Sequence, residues 1–349
     1  MLVDIDETKI LQTQSLNNLF KTASLSEIGE NCRILSSEFY LDSFNYFPIT
    51  KKNESFTNFF KRDDDNSINH FYTENFYKNF INKKNNFKQI KDCVILGSSP
   101  ADNYFSNLIH FLPRVFFIND KKISIAIHRN LSNKFRNFIE TICKLRGIEI
   151  SFIFLDDGFY HFYDSSIPEF FNLNKSIKVL KFFLEKIITN IKVPEFKSKI
   201  YIRREDANYR KILNEGDLIS KLRKNGFEII NPQHFDILEQ MKIFSNAEVI
   251  ITPHGSNMSN LIFCQKGTKI IEISPELKNM YEQNISNRYK HIADNLNLEF
   301  QKIKADSVDV LNHSEQSKKY IHPKILKNSN YYKNMIIKIS EIEKQFSNL

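Results

Sequence analysis

FEIINPQHFDILEQMKIFSNAEVIITPHGSNMSNLIFCQKGTKIIEIS, residues 227–274, decides the fold. FEIINP, EVIITP and TKIIEIS are short apolar runs of strand character, and FDILEQMKIFSNA between the first two carries its apolar residues at helical spacing. Just upstream, SKIYIRR (198–204) reads as a strand and EGDLISKLRKNG (215–226) as a helix closed by Gly226. Strands that alternate with helices imply a parallel, doubly wound sheet, so an α/β domain is expected here.

The same alternation recurs earlier in the chain. CVILG (93–97) is a short strand, NYFSNLIHFLPRVFFI (103–118) has helical spacing, and ISIAIH (123–128) returns to strand. LSNKFRNFIETICKLRG follows as a helix closed by Gly147, then IEISFIFL as a strand, and SIKVLKFFLEKIITNI (176–191) as a long amphipathic helix. VPEFKSK, around Pro194, reads as a domain boundary. The expected division is an N-terminal domain over 1–192 with an irregular lead-in at 1–87, a second domain over 193–305, and a C-terminal extension over 306–349 ending in a helix from YYKNMIIKISEIEKQF. A chain of 349 residues suits two domains of ~150 residues each.

Composition narrows the class. Hydrophobic residues at 41% and charged residues at 26% are ordinary globular values, which favour neither disorder nor a membrane protein. The formal charge of +8 favours anionic partners, but Lys and Arg are spread along the whole chain and no basic helix or nucleic-acid motif stands out, so nucleic acid is not expected as a partner. Cys32, Cys93, Cys143 and Cys264 lie far apart without metal-site spacing, as reduced thiols of a cytosolic protein would. Asp63, Asp64 and Asp65 lack metal-ligand spacing and read as a solvated loop. No stretch reads as a leader or a membrane span, so a cytoplasmic location is expected, with peripheral contact at an anionic inner membrane left open.

In open α/β sheets ligands sit beyond the carboxyl ends of the strands. The loop after IYI supplies Arg203, Arg204, Asp206 and Arg210, followed by Asn214 and Glu215 at a helix start. Guanidinium forks suit a diphosphate; a surface ion-pair network with Glu205 and Asp206 is the competing reading. The next loop sets His254 and Gly255 between a buried strand and a helix whose first amides, near Ser256 and Asn257, form an anion site. A hydrogen-bonded structural His would occupy the same place. Glu272 lies inside an apolar strand, where a carboxylate needs a partner, either Arg204 or a ribose hydroxyl. No G-x-G-x-x-G, P-loop, G-x-S-x-G or H-E-x-x-H is present, which counts against dinucleotide oxidoreductases, P-loop NTPases, the usual hydrolases and zincins.

Together, R-R-x-x-x-x-x-R and N-E in YIRREDANYRKILNE (201–215), then E-Q-x-x-x-F-x-x-A, H-G-x-x-x-x-N with Asn260, and G-T-x-x-I-E-I, resemble glycosyltransferase family 61. This family includes bacterial capsular polysaccharide enzymes and relatives of plant xylosyltransferases. NYFSNLIHFLPR (103–114) is similar to the family's N-terminal pattern N-Y-x-H-W-x-x-D-x-L-P-R at Asn103, Tyr104, Leu112, Pro113 and Arg114, with Ser106 where His is usual and His110 where Asp is usual.

The resemblance implies a GT-B fold, two Rossmann-like domains with parallel sheets facing across a cleft. It implies a metal-independent, inverting hexosyl or pentosyl transfer without cofactor, from a nucleotide-sugar donor, UDP-linked in the favoured reading. The acceptor would be a glycan or lipid-linked glycan of bacterial capsule or lipopolysaccharide synthesis. Arg203, Arg204, Arg210, Asn214, His254, Gly255, Ser256, Asn257, Asn260 and Glu272 would bind the donor. The base would be His110, which also reads as an interior His, or in reserve Glu215, which also reads as a helix cap. A catalytically degenerate homologue that binds a nucleotide or glycan is the alternative.

Overall fold

The computed structural model describes residues 9–11, 20–44, 46–50, 54–56, 59, 87–188, 196–205, 207–277 and 280–346. The triple Asp at 63–65, Asp206 and the boundary at Pro194 lie outside the described residues. The chain divides into two compact units, Met1–Phe182 and Phe183–Leu349.

The first unit contains β1 (Lys9–Leu11), β2 (Phe20–Leu25), β3 (Glu30–Asp42), β4 (Phe47–Thr50), β5 (Glu54–Phe56), β6 (Lys88–Lys91), β7 (Cys93–Ile95), β8 (Lys122–His128), α1 (Asn133–Leu145), β9 (Glu149–Leu155), β10 (Phe159–Pro168) and the start of α2 (Leu173–Ile188). Its main sheet runs in the order β2-β3-β10-β7-β8-β9, with β4 paired to β3 and β6 to β10. The ladders joining β10, β7, β8 and β9 are parallel. Those of β3 with β10, β2 and β4 are antiparallel. Helix α1 buries Phe135, Phe138, Ile139, Ile142 and Cys143, the i, i+3, i+4, i+7 face its sequence marked out, and Gly147 at φ 71° ends it in a conformation that favours glycine.

The segment 103–118 is helical, but with two unusual turns: a π-helical one over Ser106–Phe111 and a 3-10 one over Leu112–Phe117. Arg114 is fully buried here. It donates to Pro168 O (2.8 Å) and Tyr46 Oη (3.1 Å), and its guanidinium lies 4.1 Å from the centre of the Phe170 ring.

The second unit contains β11 (Lys199–Ile202), α3 (Glu215–Lys224), β12 (Glu228–Ile230), α4 (Ile237–Asn246), β13 (Val249–Pro253), β14 (Lys269–Pro275), α5 (Met280–Asn295), β15 (Glu299–Val308), α6 (Glu315–Tyr320), α7 (Pro323–Asn328), β16 (Asn334–Ile336) and α8 (Ile339–Phe346). The sheet order is β12-β11-β13-β14-β15-β16, parallel except for the antiparallel pair β15–β16. Every residue of β13 is buried, as an interior parallel strand requires. Asp236 and Glu239 close a reciprocal capping box at the start of α4, bonding each other's backbone N–H at 2.8 Å, a device of about 1 kcal/mol.

Two segments differ from the sequence expectation. Residues 20–42 and 47–50, inside the stretch read as an irregular lead-in, form β2 to β4, because β10 offers a long antiparallel partner from Phe159 to Pro168. The C-terminal extension is not simply helical. Asn334–Ile336 is drawn into a strand by β15, and Met335, Ile337 and Ile342 complete the hydrophobic core of the second unit beside Leu218, Ile251 and Ile273.

Candidate functional site

The strand order of the second unit reverses at β11, which is flanked by β12 on one side and β13 on the other. This is a topological switch point, where crossovers leave in opposite directions and their loops part to make a crevice. The two loops that leave it are the arginine loop after β11 and the His-Gly loop after β13.

In the arginine loop the three guanidiniums have different surroundings. Arg203 is neutralised: its Nη2 and Nε donate to Glu215 Oε2 at 2.8 and 3.1 Å, and Nη1 reaches Glu205 Oε2 at 3.3 Å. Glu215 also accepts from the buried Tyr201 hydroxyl at 2.9 Å, so it serves as a hub between β11 and α3. Arg204 and Arg210 have no carboxylate partner among the described residues. Arg204 donates to Tyr209 O at 3.5 Å and its guanidinium lies against Gly255; its Nε is shut from solvent. Burial, reinforced by the charge of Arg210, brings the Arg204 pKa down to about 10.

Arg210 is buried with φ 58° and bonds Tyr331 O at 3.0 Å. Its guanidinium lies 4.0 Å from the ring centre of Tyr331 and 4.8 Å from that of Tyr209. Neighbouring like charges repel, and a site that keeps two of them uncompensated is arranged for an anion.

Gly255 follows directly on β13. Its backbone is fully extended, so no φ requirement selects glycine; space does. A Cβ there would fall on the Arg204 guanidinium, 2.6 Å from Cζ. A 3-10 helix over Ser256–Phe263 begins at the next residue. Ser256 and Asn257, both half-buried, present the first helical N–H groups, which have no intrahelical acceptor. Asn260 is buried and donates to Gln240 Oε1 (3.0 Å), whose own amide bonds Pro232 O (2.9 Å), tying this helix to α4.

His254 and Glu272 are both fully buried and joined by a short Nδ1 to Oε1 hydrogen bond. Burial lowers the His254 pKa to about 4 against the opposing pull of Glu272, so the ring is neutral at pH 7. The neutral ring donates from Nδ1, and Nε2 is left as an acceptor with no hydrogen-bond partner among the described residues. Glu272 also faces Lys302, its register partner on β15, at 3.5 Å. The partners of this carboxylate in the strand are thus His254 and Lys302, not Arg204. The rings of Tyr289 (5.0 Å) and Tyr331 (5.4 Å) pack on His254.

Asn214 has a bonding pattern of another kind. Its amide donates to Ile337 O (2.8 Å) and accepts from Ile337 N (3.1 Å), pinning the C-terminal segment to the start of α3. The same segment is laced to the arginine loop by Arg210 N to Lys333 O (2.9 Å), Met335 N to Lys211 O (2.8 Å) and Leu213 N to Met335 O (2.8 Å). Tyr331 reaches the site because of this lacing. Sequence reading missed Tyr209, Tyr289, Tyr331 and Lys302; the last is legible only once β15 is placed in register beside β14.

All the sequence-derived donor residues, together with Glu215, belong to the second unit. His110 belongs to the first, in the π-helical turn, buried with its ring 5.3 Å from Phe105. Among the described residues no group of three His, Cys, Asp or Glu side chains is arranged to hold a metal ion, and no helix is long and apolar enough to cross a membrane. The four cysteines are buried and free.

A search of curated proteins found no match to this chain. The family model for Glycosyltransferase 61, by contrast, matches residues 63–271, more than half of the chain, and spans both the Asn103–Arg114 segment and the switch-point loops. The chain therefore belongs to glycosyltransferase family 61.

Proposed function

We propose that this protein transfers a sugar, with inversion, from a nucleotide-sugar donor to a glycan acceptor, the donor lying on the second unit. The observation that carries the donor assignment is the pair Arg204 and Arg210, side by side without carboxylates beside Gly255 and the first amides of the following helix. Arginine forks bind the two phosphates, and the amides of Ser256 and Asn257 take up the negative charge that develops on the departing nucleotide. Preorganised donors of this kind supply the largest share of stabilisation in such transfers. Neutral His254, held by Glu272, offers Nε2 as an acceptor for a donor hydroxyl. The two units would act as the halves of a GT-B enzyme that closes over its substrates to exclude water. Family membership and the +8 charge support a cytoplasmic role in bacterial surface polysaccharide synthesis, beside an anionic membrane and its lipid-linked acceptors.

Thermal unfolding of the wild type and of Arg204→Ala with UDP, GDP, CMP and their sugars tests this reading. A ligand at one hundred times its Kd adds about 2.7 kcal/mol to stability, a clear shift in midpoint. One nucleotide should stabilise the wild type and fail with the variant. Stabilisation of neither, with both folded, overturns the donor site. A second reading, a homologue that binds its donor without turnover, is favoured by Ser106 and His110 in place of the family's usual His and Asp. Nucleotide-specific stabilisation with no product from any acceptor would establish it.

A further inference from the structure

The switch-point site of the second unit contains an acceptor that its phosphate-binding groups do not account for. His254 is fully buried, and its Nε2, the nitrogen without a proton, has no hydrogen-bond partner among the described residues. A buried acceptor left bare carries its full desolvation penalty, and a histidine that only supports a fold has, as a rule, both nitrogens bonded. The phosphate oxygens that suit Arg204 and Arg210 do not fill the gap, because they too are acceptors at neutral pH. What fits is a group that brings a hydrogen. A nucleotide sugar offers hydroxyls on either side of its diphosphate, on the ribose and on the sugar.

Nε2 stays an acceptor only while the ring keeps its single proton on Nδ1. Glu272 Oε1 accepts that Nδ1–H in the short hydrogen bond, and the other oxygen of the carboxylate, Oε2, lies 3.5 Å from Lys302 Nζ. Lys302 is the register partner of Glu272 on β15, and its ammonium donates to the buried Ser286 Oγ of α5 at 2.7 Å. The ammonium is thereby fixed between the sheet and α5, facing the carboxylate. Its charge also acts on the ring: burial lowers the His254 pKa to about 4 against the pull of Glu272, and the charges of Arg210 and Lys302 add to the lowering. Without the Lys302 charge, Glu272 draws a proton onto the ring with one cation fewer to oppose it. An imidazolium presents Nε2–H, a donor, where the acceptor had been.

We propose that Lys302 is a positioning residue of the donor site: through Glu272 it fixes the His254 ring with Nε2 as an open acceptor, and that nitrogen selects a hydroxyl of the donor. The inference rests on the transferase reading above. Lys302 acts through two fully buried side chains and not by contact with the donor.

The test uses the full-length protein with Lys302→Met, which removes the charge and keeps the length, and Lys302→Arg, which keeps the charge. Lys302→Gln takes the place of the methionine variant should that one melt early; the Lys302 side chain is 31% exposed, so none of the three opens the core. Nitrogen NMR of protein carrying isotope-labelled histidine, with the His254 signals assigned by His254→Gln, reads the ring without any ligand. The wild type and Lys302→Arg should show a bare Nε2 and a protonated Nδ1, and Lys302→Met an Nε2 shifted toward the protonated position. Calorimetric titration with UDP, GDP and CMP, their 2′- and 3′-deoxy forms and their sugars reads the hydroxyl. Lys302→Met should bind the ligand that carries this hydroxyl about tenfold more weakly, the scale of one hydrogen bond, and the ligand that lacks it as the wild type does. A loss already present with the free nucleotide places the hydroxyl on the ribose; a loss confined to the nucleotide sugar places it on the sugar. Unchanged His254 signals in a folded Lys302→Met, or unchanged affinity for every ligand, overturns the assignment and leaves the donor reading standing. Binding of none of these ligands by the wild type overturns the donor reading, and this inference with it.

Discussion

Replacing Gly255 by alanine adds a single methyl group at the place where the donor reading is most exposed to refutation. The backbone at Gly255 is extended, so alanine meets no torsional penalty, and β13 before it and the 3-10 helix after it are undisturbed. The new Cβ would sit within the guanidinium of Arg204, 2.6 Å from Cζ and 3.1 Å from Cδ, so the fork must swing away. Moving the end of a flexible side chain costs the fold little. Moving it off a phosphate forfeits a charge-assisted hydrogen bond of about 1.5–3 kcal/mol, which is roughly a 10- to 150-fold loss of affinity. Titration calorimetry of Gly255→Ala and of the wild type with the stabilising nucleotide reads this directly, with thermal melting as the control for folding. If Gly255→Ala binds within threefold of the wild type, then Arg204 does not hold the phosphates and the site must be sought elsewhere on the switch point.

Two further outcomes follow from groups around the same site. Asn214→Ala leaves the N–H and C=O of Ile337 without the amide that pairs them, so stability should fall by about 2–3 kcal/mol in urea titration and the segment from β16 to α8 should become the first target of limited proteolysis. His254 has a folded pKa near 4 against an ordinary 6.5, so from pH 6.5 down to 4 the unfolded chain binds the extra proton and stability falls with falling pH. The loss is complete below pH 4, on the order of 3 kcal/mol, and His254→Gln should flatten this window in denaturation measured at successive pH values.

What the sequence made legible and what it hid have one physical cause, the distance along the chain over which each feature is determined. The strands β7, β8, β11, β12, β13 and β14 and the helices α1 to α4 are announced locally, by apolar runs, helical spacing, the Asp236 and Glu239 box and glycines such as Gly147 and Gly226. Elements whose conformation is imposed by a distant partner were not. FYHFYDSSIP becomes β10 because β3, more than one hundred residues away, pairs with it from Phe159 to Pro168. EFQKIKADSV buries little beyond Ile303 and Ala305 and is a strand because β14 provides a seven-residue ladder. The candidate site divides in the same way. Arg204, Arg210, His254 and Gly255 are readable because strand ends and their loops are contiguous in sequence. Their physical distinctions are not: Arg203 is neutralised by Glu215 while its neighbour is left bare, Glu272 is committed to His254 and Lys302, and Tyr331 is delivered by a C-terminal segment laced onto the arginine loop. That segment lies beyond residue 271, where the family match ends. The contacts that set Tyr331 against Arg210 and His254 are therefore fixed by the tertiary lacing of the C-terminal segment and not by the stretch that the family model matches.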